Sequence, residues 1–142
     1  MQFLTVSMLM VLLFAAGCGV ENTIKSPAGM ALAESGNALM TYLKDIDYDA
    51  VYDMLTPSSQ QLLDWAEKMA SGIVDVERLI RENAPIVVKW SFDSAKIFTE
   101  NGSTKGILDG VVDYLGGKRG KVHLEFEQLN GTWKVRGWTL GD

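Results

Sequence analysis

Residues 123–140, HLEFEQLNGTWKVRGWTL, hold the clearest structural signal in the chain. Asn130-Gly131 is the kind of pair a two-residue type I′ turn demands, because both central residues of that turn take positive φ. Counting outward pairs Gln128 with Trp133, Phe126 with Val135 and Leu124 with Gly137 on one face. The other face pairs Glu127 with Lys134, Glu125 with Arg136 and His123 with Trp138. Two opposite-charge pairs follow from this register without adjustment, and such cross-strand pairs stabilise a sheet. A slip of one residue would turn Phe126 to solvent.

Two earlier hairpins extend the sheet. Gly116-Gly117-Lys118-Arg119-Gly120 reads as a five-residue loop, which puts Leu108, Val112 and Tyr114 on the Phe126 face. Asp109 and Asp113 then share the Glu125 face, with Asp113 opposite His123. A loop one residue shorter would bury Asp113, which is costly for an unpaired carboxylate. Asn101-Gly102 is a second type I′ signal, pairing Ile97 with Gly106 and Ala95 with Leu108. Trp90 and Phe92 have the opposite parity to Ile97, so a bulge near Asp93-Ser94 is expected if all three face inward.

The preceding segment is helical. From Ala31 to Lys44, apolar or small residues recur at Leu32, Gly36, Leu39 and Leu43, one buried stripe. Asp47 can cap a short second helix running through Leu55. Thr56-Pro57 opens a third, whose expected apolar face is Leu62, Leu63, Trp65, Ala66 and Met69. Asp64 and Lys68 form an outward i,i+4 pair, as do Glu77 and Arg81 in a further helix through Ile80. Asp45, Asp47, Asp49 and Asp53 do not make a calcium loop. They run into a helical pattern, with no glycine turn and no closing bidentate Glu.

Helices followed by a four-stranded antiparallel meander is an α+β solution, with the helices packed on one face of a curved sheet. NALMTYLKDIDYDAVYDMLTPSSQQLL together with HLEFEQLNGTWKVRGWTL resembles the NTF2-like (cystatin-like) superfamily, and in particular small lipoproteins that carry such a domain. The resemblance spans about residues 30–140 and implies a cone-shaped sheet. It does not choose among isomerases, binding proteins and inert scaffolds. It implies an interior in which Tyr42, Met54, Trp90, Phe92, Tyr114 and Phe126 line any pocket, open to a small-molecule ligand. It also implies that a homodimer or other protein partner uses the outer sheet face, where Trp138, Val111, Ile107, Phe98 and Leu140 are expected.

The amino terminus carries a different message. Residues 3–17, FLTVSMLMVLLFAAG, are apolar and charge-free but shorter than the roughly 20 residues of a spanning helix. The only cysteine follows at once. Ala15-Ala16-Gly17-Cys18 resembles the bacterial lipobox, which implies a signal peptide over 1–17 and diacylglycerol on the Cys18 thiol. Palmitate-type acyl chains and a place in the cell envelope or periplasm follow from that resemblance. Gly19 lacks the Asp of inner-membrane retention, so an outer membrane is favoured where the host has one. Residues 18–29 read as a lipidated tether and 30–142 as the NTF2-like domain.

Composition narrows the chemistry. A net charge of −5 argues against nucleic acid, and one cysteine with one histidine is too few for a Cys/His zinc site. No phosphate loop or Ser-His-Asp arrangement is present, no cofactor is expected, and His123 falls on the charged face. The expectation is a membrane-anchored, non-enzymatic binding or assembly domain with no catalytic residues. A small-molecule carrier and an isomerase-like enzyme using the same cone are the alternatives.

Overall fold

The computed structural model describes residues 22–69 and 86–141. Helices α1 (Pro27–Lys44), α2 (Tyr48–Met54) and α3 (Pro57–Met69) precede strands β1 (Val87–Glu100), β2 (Ser103–Tyr114), β3 (Arg119–Leu129) and β4 (Thr132–Gly141). The strands form one antiparallel sheet in the order β1-β2-β3-β4. This is the α+β arrangement read from the sequence, with helices packed on a curved four-stranded sheet. The expected helix through Ile80, its Glu77–Arg81 pair and Cys18 lie outside the described residues.

Helix α1 begins four residues before the expected Ala31. Ser26 caps it by accepting from the Gly29 N–H at 3.0 Å, and Pro27 takes the first helical position. This is the cap-then-proline arrangement that opens α3, where Thr56 Oγ1 accepts from the Ser59 N–H. The chain before the cap is also bound structure. The Thr23 N–H donates to the Ala95 carbonyl at 2.7 Å, and the Ser26 N–H to Thr23. Residues 22–29 are therefore not free tether. Helix α2 is capped as expected, with Asp47 accepting from the Ala50 N–H.

The buried stripe of α1 is Leu32, Gly36, Leu39, Met40 and Leu43. With Val51 it packs on Leu108, Val112, Val122, Leu124, Phe126 and Val135 of the sheet. Helix α3 departs from expectation. Leu62 and Trp65 are exposed, and Leu63 is the leucine that packs on the core. The cause is Asp64, whose carboxylate accepts from the Tyr52 hydroxyl at 3.0 Å instead of pairing outward. Turning Asp64 towards α2 swings Trp65 about 100° further round the helix.

Both edge strands have irregular register, with two shifts in β1 and one in β4, and two of the three are tied to the chain around the helices. In β1 the register shifts between Phe92 and Ser94, as parity required, so Trp90, Phe92, Ala95 and Ile97 oppose the inward residues of β2. Asn22 bonds that bulge in two directions, donating to the Asp93 carbonyl and accepting from the Ala95 N–H, each at 3.0 Å. In β4 the shift lies between Glu125 and Phe126 of the partner, so Arg136 is the extra residue. The Thr56 N–H donates to the Val135 carbonyl, and the Ser59 hydroxyl donates to the Arg136 carbonyl, both at 2.8 Å.

The β4 bulge corrects the outer half of the last hairpin. Gln128–Trp133, Phe126–Val135 and Glu127–Lys134 pair as read, but Leu124 opposes Trp138, Glu125 opposes Gly137 and His123 opposes Thr139. Trp138 and Leu140 accordingly pack against the core and do not sit on the outer face. The β2–β3 register is corrected as well. Five residues, 114–118, separate the last pair, Asp113 and Arg119, so the loop sits two residues earlier than expected. Face assignments survive because the change is even, but His123 now opposes Asp109 and not Asp113.

Candidate functional site on the outer sheet face

The pleat sends alternate residues to opposite faces, so the ladder pairs alone define the outer surface. Its cross-strand rows are Lys89–Asp113–Arg119, Ser91–Val111–Lys121, Ser94–Asp109–His123, Lys96–Ile107–Glu125 and Phe98–Lys105–Glu127–Lys134. The charged residues that the sequence singled out on β2 and β3 lie in these rows, whereas Arg136 is the extra residue of the β4 bulge. The expected apolar content falls to Phe98, Ile107 and Val111, each half-buried, once Trp138 and Leu140 are removed.

Two charged clusters flank the Ser91–Val111–Lys121 row. Arg119 grips Asp113 with both ends of its guanidinium fork, Nε to Oδ1 at 2.7 Å and Nη2 to Oδ2 at 3.3 Å. Lys89 Nζ stands 3.6 Å from the same carboxylate. The Arg119 hydrogen bond holds the Asp113 carboxyl below its usual pKa, with the nearby positive charges acting in the same direction. Lys89, Asp113 and Arg119, with Trp90, Ser91 and Val111, line a shallow groove of about 230 Å³.

His123 has a carboxylate at each ring nitrogen. Nδ1 is 2.5 Å from Asp109 Oδ1 and Nε2 is 3.5 Å from Glu125 Oε1. Partial burial pulls the imidazole pKa down, but the bond and charge of Asp109, joined by Glu125, outweigh it and leave the pKa raised. The side chain remains 39% exposed on an open surface. That geometry stabilises an imidazolium. It does not enclose a reacting group, and effective acid–base catalysis needs such enclosure together with oriented donors.

The inner face is where pocket-lining residues were expected. Tyr42, Met54, Trp90, Phe92 and Tyr114 are half-buried against the core and Phe126 is fully buried within it. Two of their polar handles are already engaged. Trp90 Nε1 donates to Asn37 Oδ1 at 2.8 Å, and the Tyr114 hydroxyl donates to the Gly141 carbonyl at 3.1 Å. Of the four clustered acids, Asp45 is the C-cap of α1 and Asp47 the N-cap of α2. Among the described residues no group of three or more His, Cys, Asp or Glu is arranged to hold a metal ion.

Sequence reasoning missed Asn22 as an organising residue. Its neighbours read as linker, and the available signal was Ser26-Pro27, which moves the helix start upstream. It also missed Asp109 as the histidine's partner, because a glycine-rich loop leaves the register free to slide in steps of two.

No family model matches the chain, and no curated protein matches it. Among solved structures it is similar to an NTF2-like designed protein titled Rd1NTF2_05 with five substitutions, at 15% identity and a TM-score of 0.43, over 74% of this chain and 91% of that one. The α+β assignment rests on the chain's own elements, three described helices leading into one antiparallel four-stranded sheet.

Proposed function

We propose that the chain is an exported, lipid-anchored domain of NTF2-like build that works by binding or assembly and not by catalysis. One observation carries the reading: Asn22, four residues after Cys18, is hydrogen-bonded to the β1 bulge. Four residues span at most about 14 Å when extended. A diacylglyceryl group on Cys18 then holds the β1 edge close against the headgroups, and the domain is stationed at the bilayer with no long reach from it. The envelope location, with the outer membrane favoured in a two-membrane host, goes with this reading.

The non-enzymatic part draws support from the open setting of His123, the chain's only histidine. The carrier and isomerase alternatives both need free polar groups facing an interior. The Trp90 indole and Tyr114 hydroxyl are instead spent on protein partners.

Metabolic labelling with a radiolabelled fatty acid tests the anchor. Wild type takes up label and Cys18→Ala does not. Equal labelling of the two ends the lipoprotein reading.

A further inference from the structure

One corner of the sheet brings exposed aliphatic side chains and cations together. The Leu115 N–H donates to the Ile86 carbonyl at 3.0 Å, which brings the β2–β3 loop beside the start of β1. Ile86, Val88 and Leu115 are 53%, 42% and 67% exposed there. Around them Lys89, Lys118, Arg119 and Lys121 are all exposed, with Asp113 between Lys89 and Arg119. A chain of net charge −5 has thus gathered four of its 13 cations at one corner, beside three solvent-facing aliphatic side chains.

We infer that this corner is a docking surface for an anionic phospholipid bilayer, a second membrane contact beside the lipid anchor. The membrane's presence rests on the lipid-anchored reading above; the chemistry of the corner does not. Aliphatic tips ringed by Lys and Arg suit the boundary between headgroups and acyl chains, where the tips are buried and the cations meet phosphate. A second copy of the chain fits less well, since a two-fold contact through this corner would set its cations against themselves. Leu115 projects from a loop in which Gly116 and Gly117 have φ of 97° and 85°. A projecting tip needs a yielding surface more than a complementary one.

The short span of chain between Cys18 and Asn22 agrees with this. Asn22 grips β1 at Asp93 and Ala95, and Lys89 lies four residues back along the same edge strand. At about 3.3 Å per residue the two are roughly 13 Å apart, close to the reach of the Cys18 linker. The anchor and the corner can therefore touch one plane. The anchor supplies proximity and the corner supplies orientation, holding the charged outer face at a set angle to the bilayer.

Hydrogen–deuterium exchange on the full chain in vesicles tests the inference. The vesicles are phosphatidylcholine alone, or phosphatidylcholine mixed with phosphatidylglycerol. Peptides covering 86–89 and 114–121 exchange several-fold more slowly in the anionic vesicles, and added salt reverses the effect. The peptide carrying Leu62 and Trp65, also exposed, is unchanged. Lys118→Glu with Lys121→Glu abolishes the protection while leaving exchange in the core strands as in wild type. Leu115→Ser weakens it. Equal exchange in both vesicle types overturns the inference, as does protection that survives the double charge reversal. Protection that grows with protein concentration on neutral vesicles also overturns it, in favour of a second copy. The intact mass of the same sample reports acylation separately. An acylated chain without protection refutes the corner alone, and an unacylated chain with anionic-lipid protection refutes the anchor alone.

Discussion

His123 Nδ1 lies 2.5 Å from Asp109 Oδ1 directly across the β2–β3 ladder, on the open face of the sheet. The pair links the stability of the fold to pH. Burial opposes the imidazolium, but Asp109 and then Glu125 favour it more strongly, so the folded-state pKa is raised. A raised histidine pKa means that the folded state binds the proton more tightly than the unfolded chain does. The stabilisation is complete below the unfolded value of about 6.5 and is lost as pH rises through the folded pKa.

The first expectation is therefore a pH-dependent difference between wild type and His123→Gln. Denaturant midpoints differ most below the unfolded value of about 6.5 and converge as pH rises through the raised folded pKa, with the gap at its widest well under about 1 kcal/mol because the site is open to water. Asp109→Asn removes the same pH dependence, whereas Asp113→Asn leaves it. If Asp113→Asn abolishes the effect and Asp109→Asn does not, the β2–β3 register is wrong. A turnover activity found in wild type and lost in a well-folded His123→Gln would make this face an active site.

Asn22→Ala removes both bonds to the β1 bulge and leaves the Ala95 N–H to water. The expected cost is about 1 kcal/mol, typical of a hydrogen-bonded side chain at a half-exposed site. The Ala95 amide is the local reporter. Its exchange in native conditions should speed up well beyond the change in global stability. Unchanged protection at Ala95 would show that the chain before α1 does not clamp the sheet.

Two glycines are held for different reasons, and their substitutions separate turn strain from close approach. Gly131 has φ of 78° with open space around it, so Gly131→Val strains the backbone alone and should cost at least about 1 kcal/mol. Gly110 faces the β1 bulge so closely that an added Cβ would stand 2.0 Å from the Ser91 carbonyl oxygen. Because backbone must move to admit it, Gly110→Ala should cost more, above about 2 kcal/mol. Thermal melts in which Gly110→Ala is the milder change would mean that the Ser91 backbone does not press on Gly110.

The legible parts of the fold share a physical property: their causes are local. Asn101-Gly102 and Asn130-Gly131 turn as read, with both residues of each pair at positive φ. Asp47 and Thr56 cap the helices they precede. The β1 bulge was also legible, from the parity conflict between Trp90 and Phe92 on one side and Ile97 on the other. The same conflict stands in β4, where Trp133 and Val135 have opposite parity to Trp138 and Leu140. Reading that strand as regular placed Trp138 and Leu140 on the outer face, whose apolar residues are Phe98, Ile107 and Val111.

The sequence by itself determined the α+β order, the inward stripe of α1, the hairpin turns and the face on which each charge of β2 and β3 lies. These follow from periodicity and from turn residues, which act over a few positions. The tertiary structure alone decided which carboxylate meets His123, which side of α3 turns outward and what holds Asn22. Each depends on groups far apart in the chain. The 114–118 loop settles among registers that differ by two residues and keep the same faces, so only packing distinguishes them. Asp64 turns because Tyr52 waits on the neighbouring helix. Asn22 is ordered by a backbone N–H and a carbonyl some seventy residues away, at a bulge that frees those groups from the ladder.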